Sequence, residues 1–264
     1  MKSLTIFEEG EHKWVVIGRD PEKPIEVIDT NQYLIINNKQ ALMLDPGGTA
    51  IFPQVLTEIT RYVATENIKS IISSHQDPDI ASSLAMWLDL CPSAKVYCSW
   101  LWTGFISHFG MGSTLKLNVI PDEGMELQIG DTKAMVYLVP AHFCHSPGNF
   151  TCYDPIADIL FSGDIGAALL PDSESDIFVN DFQNHIKYMD KFHIRWMPSQ
   201  SALKAWVRRA RAINPSMIAP QHGSIFRGEN VKKFLDWLET LDVGKWNNET
   251  EITDINKAVW LKWK

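Results

Sequence analysis

His75, Asp77 and Asp79 stand at alternate positions directly after the β-branched apolar pair Ile71-Ile72 and two serines. Residues i, i+2 and i+4 share a face only while the chain stays extended, so a strand that ends here and curls into a helix could bring one imidazole and two carboxylates together. Such a cluster can hold a divalent metal ion. The same grammar, an apolar run followed by a ligand-type residue and a turn, recurs in Val139-Pro-Ala-His142-Phe-Cys-His145-Ser-Pro-Gly148, in Leu160-Phe-Ser-Gly-Asp164 and in Ala219-Pro-Gln-His222-Gly223. Loops leaving strand ends are where rigid scaffolds present chemistry, and four of them on one sheet edge could close a two-metal site. Each piece also has a plainer explanation. Asp77-Pro78-Asp79 could be only a helix start, with Asp77 as N-cap, Pro78 at the first helical position and Asp79 complementing the dipole. Gly163-Asp164 and His222-Gly223 are acceptable turn dipeptides. Jointly these explanations are strained, because they leave three His and three Asp at strand ends as coincidence.

The surrounding sequence must supply strands to carry these loops. Trp14 to Gly18, Tyr33 to Ile36 and Ala41 to Leu44 alternate with turn signals and predict a meander of short antiparallel strands. Apolar residues at helical spacing predict a helix from Ile51 to about Thr65, feeding a buried strand at Ile68 to Ser73. A second helix is predicted over Ile80 to Leu90, stopped by Cys91-Pro92. A strand at Lys95 to Cys98, a helix at Trp100 to Phe109, a loop at Gly110 to Gly112 and strands at Leu117 to Ile120 and Met125 to Ile129 follow. The second part repeats the pattern with strands at Lys133 to Val139, Phe150 to Tyr153, Ile159 to Ser162 and Met217 to Ala219. Its helices fall at about Asn180 to His193, Ser201 to Ile213 and Asn230 to Leu241, and the tail from Asn247 to Lys264 is expected to dock. The halves share no identity strong enough for a sequence repeat. One domain over residues 1–264 is expected, with a sheet pair inside and helices outside.

The bulk properties narrow the partners. A net charge of -8 argues against nucleic acid and anionic membrane surfaces, which reward clustered Lys and Arg. No segment approaches the roughly 18 apolar residues of a membrane span, and the acidic start does not read as a signal peptide, so a cytoplasmic setting is expected. Cys91, Cys98, Cys144 and Cys152 form no Cys-x-x-Cys pair and read as free buried thiols. No Gly-rich loop suits a dinucleotide.

His75-x-Asp77-x-Asp79, His145-Ser-Pro-Gly, Phe161-Ser-Gly-Asp164 and Pro220-Gln-His222-Gly, in that order and at those separations, resemble the metallo-β-lactamase superfamily over about residues 30 to 230. The resemblance implies an α/β fold, a four-layer αββα sandwich with a dinuclear metal site at one edge of the sheets. It implies that Asp45, in Leu-Asp-Pro-Gly-Gly, supports the first metal loop from behind. Hydrolases of this superfamily show His-x-His-x-Asp-His, whereas here Asp77 takes the second position and Ile80 the last. A carboxylate at the second position resembles the flavodiiron proteins, whose β-lactamase-like domain holds two irons, although Asp77 is one methylene shorter than their Glu.

By this resemblance one metal takes His75, Asp77 and His145, the other takes Asp79 and His222, and Asp164 bridges. His142 matches no ligand position and is either a hydrogen-bonding neighbour of the ligands or a rim residue. His12, His108, His185 and His193 are expected to do no chemistry, and Trp100, Trp102, Trp196 and Trp206 could gate the site or pack an interface, core packing being the commoner fate of such residues. A mixed set of imidazoles and hard carboxylates suits iron, with manganese or zinc as substitutes. Dioxygen, nitric oxide or peroxide is then the small-molecule ligand. The implied function is a non-haem diiron protein that acts as an oxygen or redox sensor, or as a reductase fed by an external electron donor. Residues 1–264 are expected to hold no flavodoxin domain, so a reductase would need the external donor. A signalling partner and a homodimer are further expectations from the resemblance. The competing reading is a dinuclear zinc hydrolase of esters, lactones or thioesters, in which the metals activate water.

Overall fold

A computed structural model describes residues 1–19, 23, 26–110, 117–171, 173–174 and 176–244. The expected tail from Asn247 to Lys264 and part of the Gly110 to Gly112 loop lie outside these residues. Seven strands form the first sheet in sequence order: β1 (Lys2–Glu9), β2 (His12–Gly18), β3 (Gln32–Asn37), β4 (Gln40–Leu44), β5 (Ile68–Ile72), β6 (Lys95–Ser99) and β7 (Leu117–Ile120). The strands β1 to β4 pair antiparallel, as a meander must, and β4 to β7 pair parallel. Parallel neighbours need crossovers, and these carry α1 (Phe52–Ile59), α2 (Pro78–Ala81), α3 (Leu84–Leu90) and α4 (Thr103–Ile106). The second sheet holds β8 (Met125–Gln128), β9 (Met135–Pro140), β10 (Phe150–Asp154), β11 (Ile159–Gly163), β12 (Met217–Pro220) and β13 (Phe226–Arg227) in the order β13-β12-β11-β10-β9-β8. Its only parallel pair among the described strands, β11 with β12, is bridged by α5 (Phe182–Trp196) and α6 (Gln200–Ile213), and α7 (Glu229–Thr240) follows β13.

Three apolar clusters define four layers. Trp14, Tyr33, Leu42, Ile72, Phe150 and Phe161 meet between the sheets. Val15, Leu34, Met43, Ile71 and Val96, their neighbours of opposite facing, pack under α1 to α4 with Ile59, Ile80 and Trp87. Leu160, Ile218 and Phe226 pack against Met189, Trp206, Phe234 and Leu238 of α5 to α7. The strict alternation along each strand explains why these segments read as continuous apolar runs: both faces are buried. Burying one such side chain contributes about 1.5–3 kcal/mol. This is the αββα sandwich of the metallo-β-lactamase fold.

Several local readings needed correction, among them the helix expected at Trp100 to Phe109, which is a 3₁₀ turn at Trp100–Trp102 followed by the short α4. The expected helix from Ile80 to Leu90 is broken into α2 and α3, because the Ser83 hydroxyl donates to the Pro46 and Gly47 carbonyls and Trp87 Nε1 donates to Pro46 O, drawing the chain onto the β4 loop. The helix from Ile51 stops at Ile59 instead of reaching Thr65. The half-exposed edge strand β1 and the two-residue β13 gave no apolar run to find. The four cysteines are free and buried, as expected, and burial pushes the thiols of Cys91, Cys98 and Cys144 up to about 12, which makes them inert.

Candidate metal centre

The C-terminal ends of β4 and β5 in one sheet and of β9, β11 and β12 in the other all open at the same edge of the sandwich, because β9, β11 and β12 run parallel to one another through the antiparallel β10. The sheets are tied there by three cross-links: Phe150 N–H donates to Ser74 O at 3.1 Å, Tyr33 Oη to Pro220 O at 2.7 Å, and Asn31 N–H to Gln221 O at 2.5 Å. Loops far apart in sequence are thereby held within side-chain reach.

All six candidate ligands meet at this edge, in two halves that share Asp164. In the first half His75 Nε2 lies 3.4 Å and His145 Nε2 3.0 Å from Asp77 Oδ2, and both lie 3.7 Å from Asp164 Oδ2. In the second half His222 Nε2 lies 3.4 Å from Asp79 Oδ2 and 3.5 Å from the other oxygen of Asp164, Oδ1. His75, Asp77, His145 and Asp164 offer ligand atoms within 4.8 Å of one another, the spacing at which one ion could be held. Asp77 does occupy an N-cap position with Pro78 following, but its side chain makes no capping bond; it turns to the histidines instead. Ile80 is fully buried among the helix-side core residues, so this position faces away from the cluster.

Backbone geometry and hydrogen bonds aim the ligands. The loop from β9 holds Phe143 and His145 at φ of +60° and +82°, a conformation that costs of order 1–3 kcal/mol in a non-glycine residue and persists only where surroundings enforce it. Here Asn149 Nδ2 donates to Cys144 O, and Phe143 N–H to Ser146 O. Gly223, at φ +85°, follows His222 with the Ala168 Cβ 2.6 Å from where a side chain would start, so only glycine fits. His222 Nδ1 donates to Asp29 O at 2.7 Å, which leaves Nε2 free for the cluster. His75 Nδ1 meets the Ser74 hydroxyl at 2.9 Å, and that hydroxyl donates to Asp45 Oδ2 at 2.7 Å while Asp45 Oδ1 accepts Ser74 N–H. Asp45 therefore reaches His75 only through Ser74. A Ser146–Gln76–Asp77 chain of hydrogen bonds links the two loops of the first half.

His142 bonds to Asp122 O and lies edge-on to Phe150, with no hydrogen bond or ion pair to a candidate ligand among the described residues. His193 has a structural place: its Nε2 accepts Gly166 N–H while Nδ1 donates to Met189 O, which anchors the loop carrying Asp164 to α5. Trp206 is core, whereas Trp196 is 52% exposed and lies edge-on to His145 at 5.2 Å, stacked with Phe192. Sequence gave no signal for Ser74, Gln76, Ser146 or His193, because their roles depend on partners supplied by other loops. Ser74→Ala is expected to lower metal affinity about tenfold by releasing the His75 ring. Metal retention under chelator competition checks this, and unchanged retention would show that another contact orients the ring.

The electrostatics fit a cationic occupant. Burial opposes charge on His75 and His222, yet the carboxylates of Asp164 and, respectively, Asp77 and Asp79 outweigh it and raise both to about 9. Burial likewise pushes Asp164 upward, but His75 and His222 hold it down at about 2. Asp45 is raised by burial to about 7, only partly offset by the His75 charge and the Ser74 hydrogen bonds. His75 Nε2 and Asp164 Oδ1 are buried without a hydrogen-bond partner. Orphaned buried polar atoms that converge with carboxylates at 3.0–3.7 Å are what a site for metal ions leaves when only protein atoms are considered.

The family profile described as ODP family beta lactamase matches residues 28–223. Two structures of the chemotaxis sensor ODP are similar to the chain: the peroxy diiron species, at 38% identity with a TM-score of 0.81, and the apo state from T. denticola, at 39% identity with a TM-score of 0.83. The first covers 92% of this chain and 97% of that one, and the second 92% and 96%. The anaerobic nitric oxide reductase flavorubredoxin of Aliivibrio salmonicida is 25% identical over 219 residues, covering 79% of this chain and 42% of that protein. The chain spans 35% to 52% of the length of the curated relatives it matches. The profile match over most of the chain, on a sandwich whose loops gather three histidines and three aspartates at one edge, places this chain in the ODP family of β-lactamase-fold proteins.

Proposed function

We propose that this chain is a non-haem diiron protein that binds dioxygen or nitric oxide, with His75, Asp77 and His145 holding one iron, Asp79 and His222 the other, and Asp164 bridging them. The observation that carries the reading is the division of Asp164: one carboxylate oxygen faces the histidines of the first half and the other faces His222. Three carboxylates against two divalent ions leave a net positive charge that a small anion would balance, and the same hard oxygen donors would favour an oxidised metal. When bound, the iron pair supplies redox chemistry and open coordination positions for a diatomic ligand. The protein's own part is to fix the imidazoles through Ser74 and Asp29, to keep the cluster buried, and to line the first half with the Phe192 and Trp196 rings. The similarity to a chemotaxis sensor over nearly the whole of both chains supports sensing as the role, whereas the reductase relative is matched over less than half its length. As a sensor the chain would act through a signalling partner; as a reductase it would draw on an external electron donor. No observation favours the hydrolase reading, since Asp77 and Ile80 stand where the superfamily's hydrolases place histidines.

Anaerobic purification, metal analysis and exposure to O₂ with absorption spectra test the reading. About two irons per chain and a new near-ultraviolet or visible charge-transfer band on exposure are expected. Two zincs with turnover of a generic ester would replace it with the hydrolase. Among the described residues no helix is long and apolar enough to cross a membrane.

A further inference from the structure

At the end of the sandwich opposite the ligand loops, the sheets border a half-open cleft of about 480 Å³ lined by Lys69, Ser70, Ser93, Lys95 and Tyr97 on the side of the first sheet and by Gln128 and Asp131 near the end of β8, with Lys95 and Ser93 exposed. Space between packed sheets is ordinarily filled by interdigitating apolar side chains. Here the alternation puts polar groups into it. Ile72 and Tyr97 face the inter-sheet core and Ile71 and Val96 the helices, so Ser70 and Lys95, two residues before Ile72 and Tyr97, face inward and pair directly in register. Ile68 faces the helices, and the pairing with β4 passes from Ala41–Ile68 to Leu42–Ser70, which makes Lys69 the extra residue of a β-bulge. Bulges of this kind re-aim a side chain. Gly130, at φ +56°, lies where a Cβ would be 3.0 Å from Lys69 Cγ, so the turn after β8 seats the lysine stem.

Charge and chemistry identify the occupant. Lys69 Nζ gives one hydrogen bond, to Glu66 O at 2.8 Å, and Lys95 has no ion pair among the described residues. Two ammonium groups against the single carboxylate of Asp131 make the lining net positive in a chain of net charge -8. The volume falls in the range of small-molecule sites. We propose that this cleft binds a small oxyanion bearing a carboxylate or phosphate group, with Lys69 and Lys95 as its charge partners and the Ser70, Ser93 and Tyr97 hydroxyls as hydrogen-bond donors. The site is separate from the metal centre, although β5 runs from one to the other.

The test titrates inorganic phosphate and, separately, succinate into the metal-loaded full chain at low ionic strength by calorimetry. At least one probe is expected to bind saturably with a Kd below about 1 mM. The double variant Lys69→Met/Lys95→Met is expected to weaken it roughly tenfold or more, with metal content unchanged. Lys204→Met, at an exposed position of α6, is expected to bind as the parent does. Which probe binds separates a phosphate ligand from a carboxylate one. The proposal is overturned by no saturable binding of either probe at about 10 mM, by binding that survives the double variant, or by equal weakening in Lys204→Met.

Discussion

Asp164→Ala is expected to lose both metal ions, whereas His142→Ala keeps them. Asp164 is the one side chain shared by the two halves, with Oδ2 at 3.7 Å from His75 and His145 and Oδ1 at 3.5 Å from His222. Without it the second half retains only Asp79 and His222, and two divalent ions face two carboxylates in place of three. A loss of more than about 100-fold in affinity is expected, beyond the 10–100-fold typical of removing an outer-shell partner. Asp164→Asn keeps the shape and separates loss of charge from misfolding, because Asp164 also offsets the charge of His75 and His222 when no metal is bound. His142 bonds to Asp122 O and lies edge-on to Phe150, with no hydrogen bond to a candidate ligand among the described residues, so its removal is expected to leave the cluster intact. Metal content of the purified variants decides the matter: equal loss from His142→Ala and Asp164→Ala, or full retention by Asp164→Ala, would sink the bridging assignment.

His193→Gln is expected to remove an acid-sensitive component of folding stability. Burial lowers the pKa of His193 from an ordinary 6.5 to about 4, only partly offset by the Met189 carbonyl and nearby carboxylates. Between pH 6.5 and 4 the unfolded chain therefore binds more protons at this ring than the folded chain does. Its contribution is complete above the unfolded value and is lost as pH falls through this window, by roughly 2 kcal/mol between pH 7 and 4.5. Protonation would also place a second N–H at Nε2, against the Gly166 N–H that this atom accepts. Asp45, raised to about 7 by burial, works in the opposite direction over the same range, so the total pH curve is not diagnostic. The difference between parent and His193→Gln is. Denaturant unfolding of the metal-free chain at the two pH values measures it, and parallel losses in both proteins would show that His193 does not titrate in this way.

The sequence by itself determined the types of the ligands and their order. A β-branched run ending in His75-x-Asp77-x-Asp79 announces a strand that delivers its polar residues at one end, and the same pattern marks His145, Asp164 and His222. Central strands were legible because burial on both faces leaves continuous apolar runs, while β1 and β13 were not, one being half exposed and the other two residues long. Local sequence left Asp77 undecided between an N-cap and a ligand, because both readings need the same residue before the same proline. Only the tertiary structure resolved where its carboxylate points, since His145 lies 68 residues away and reaches it by the docking of one sheet on the other. The same docking makes Ser74 the link between Asp45 and His75, gives His193 its place behind the Asp164 loop, and divides the two oxygens of Asp164 between the halves. Chemistry resides in residue types, which a sequence states outright; geometry resides in long-range contacts, which depend on how the two sheets pack.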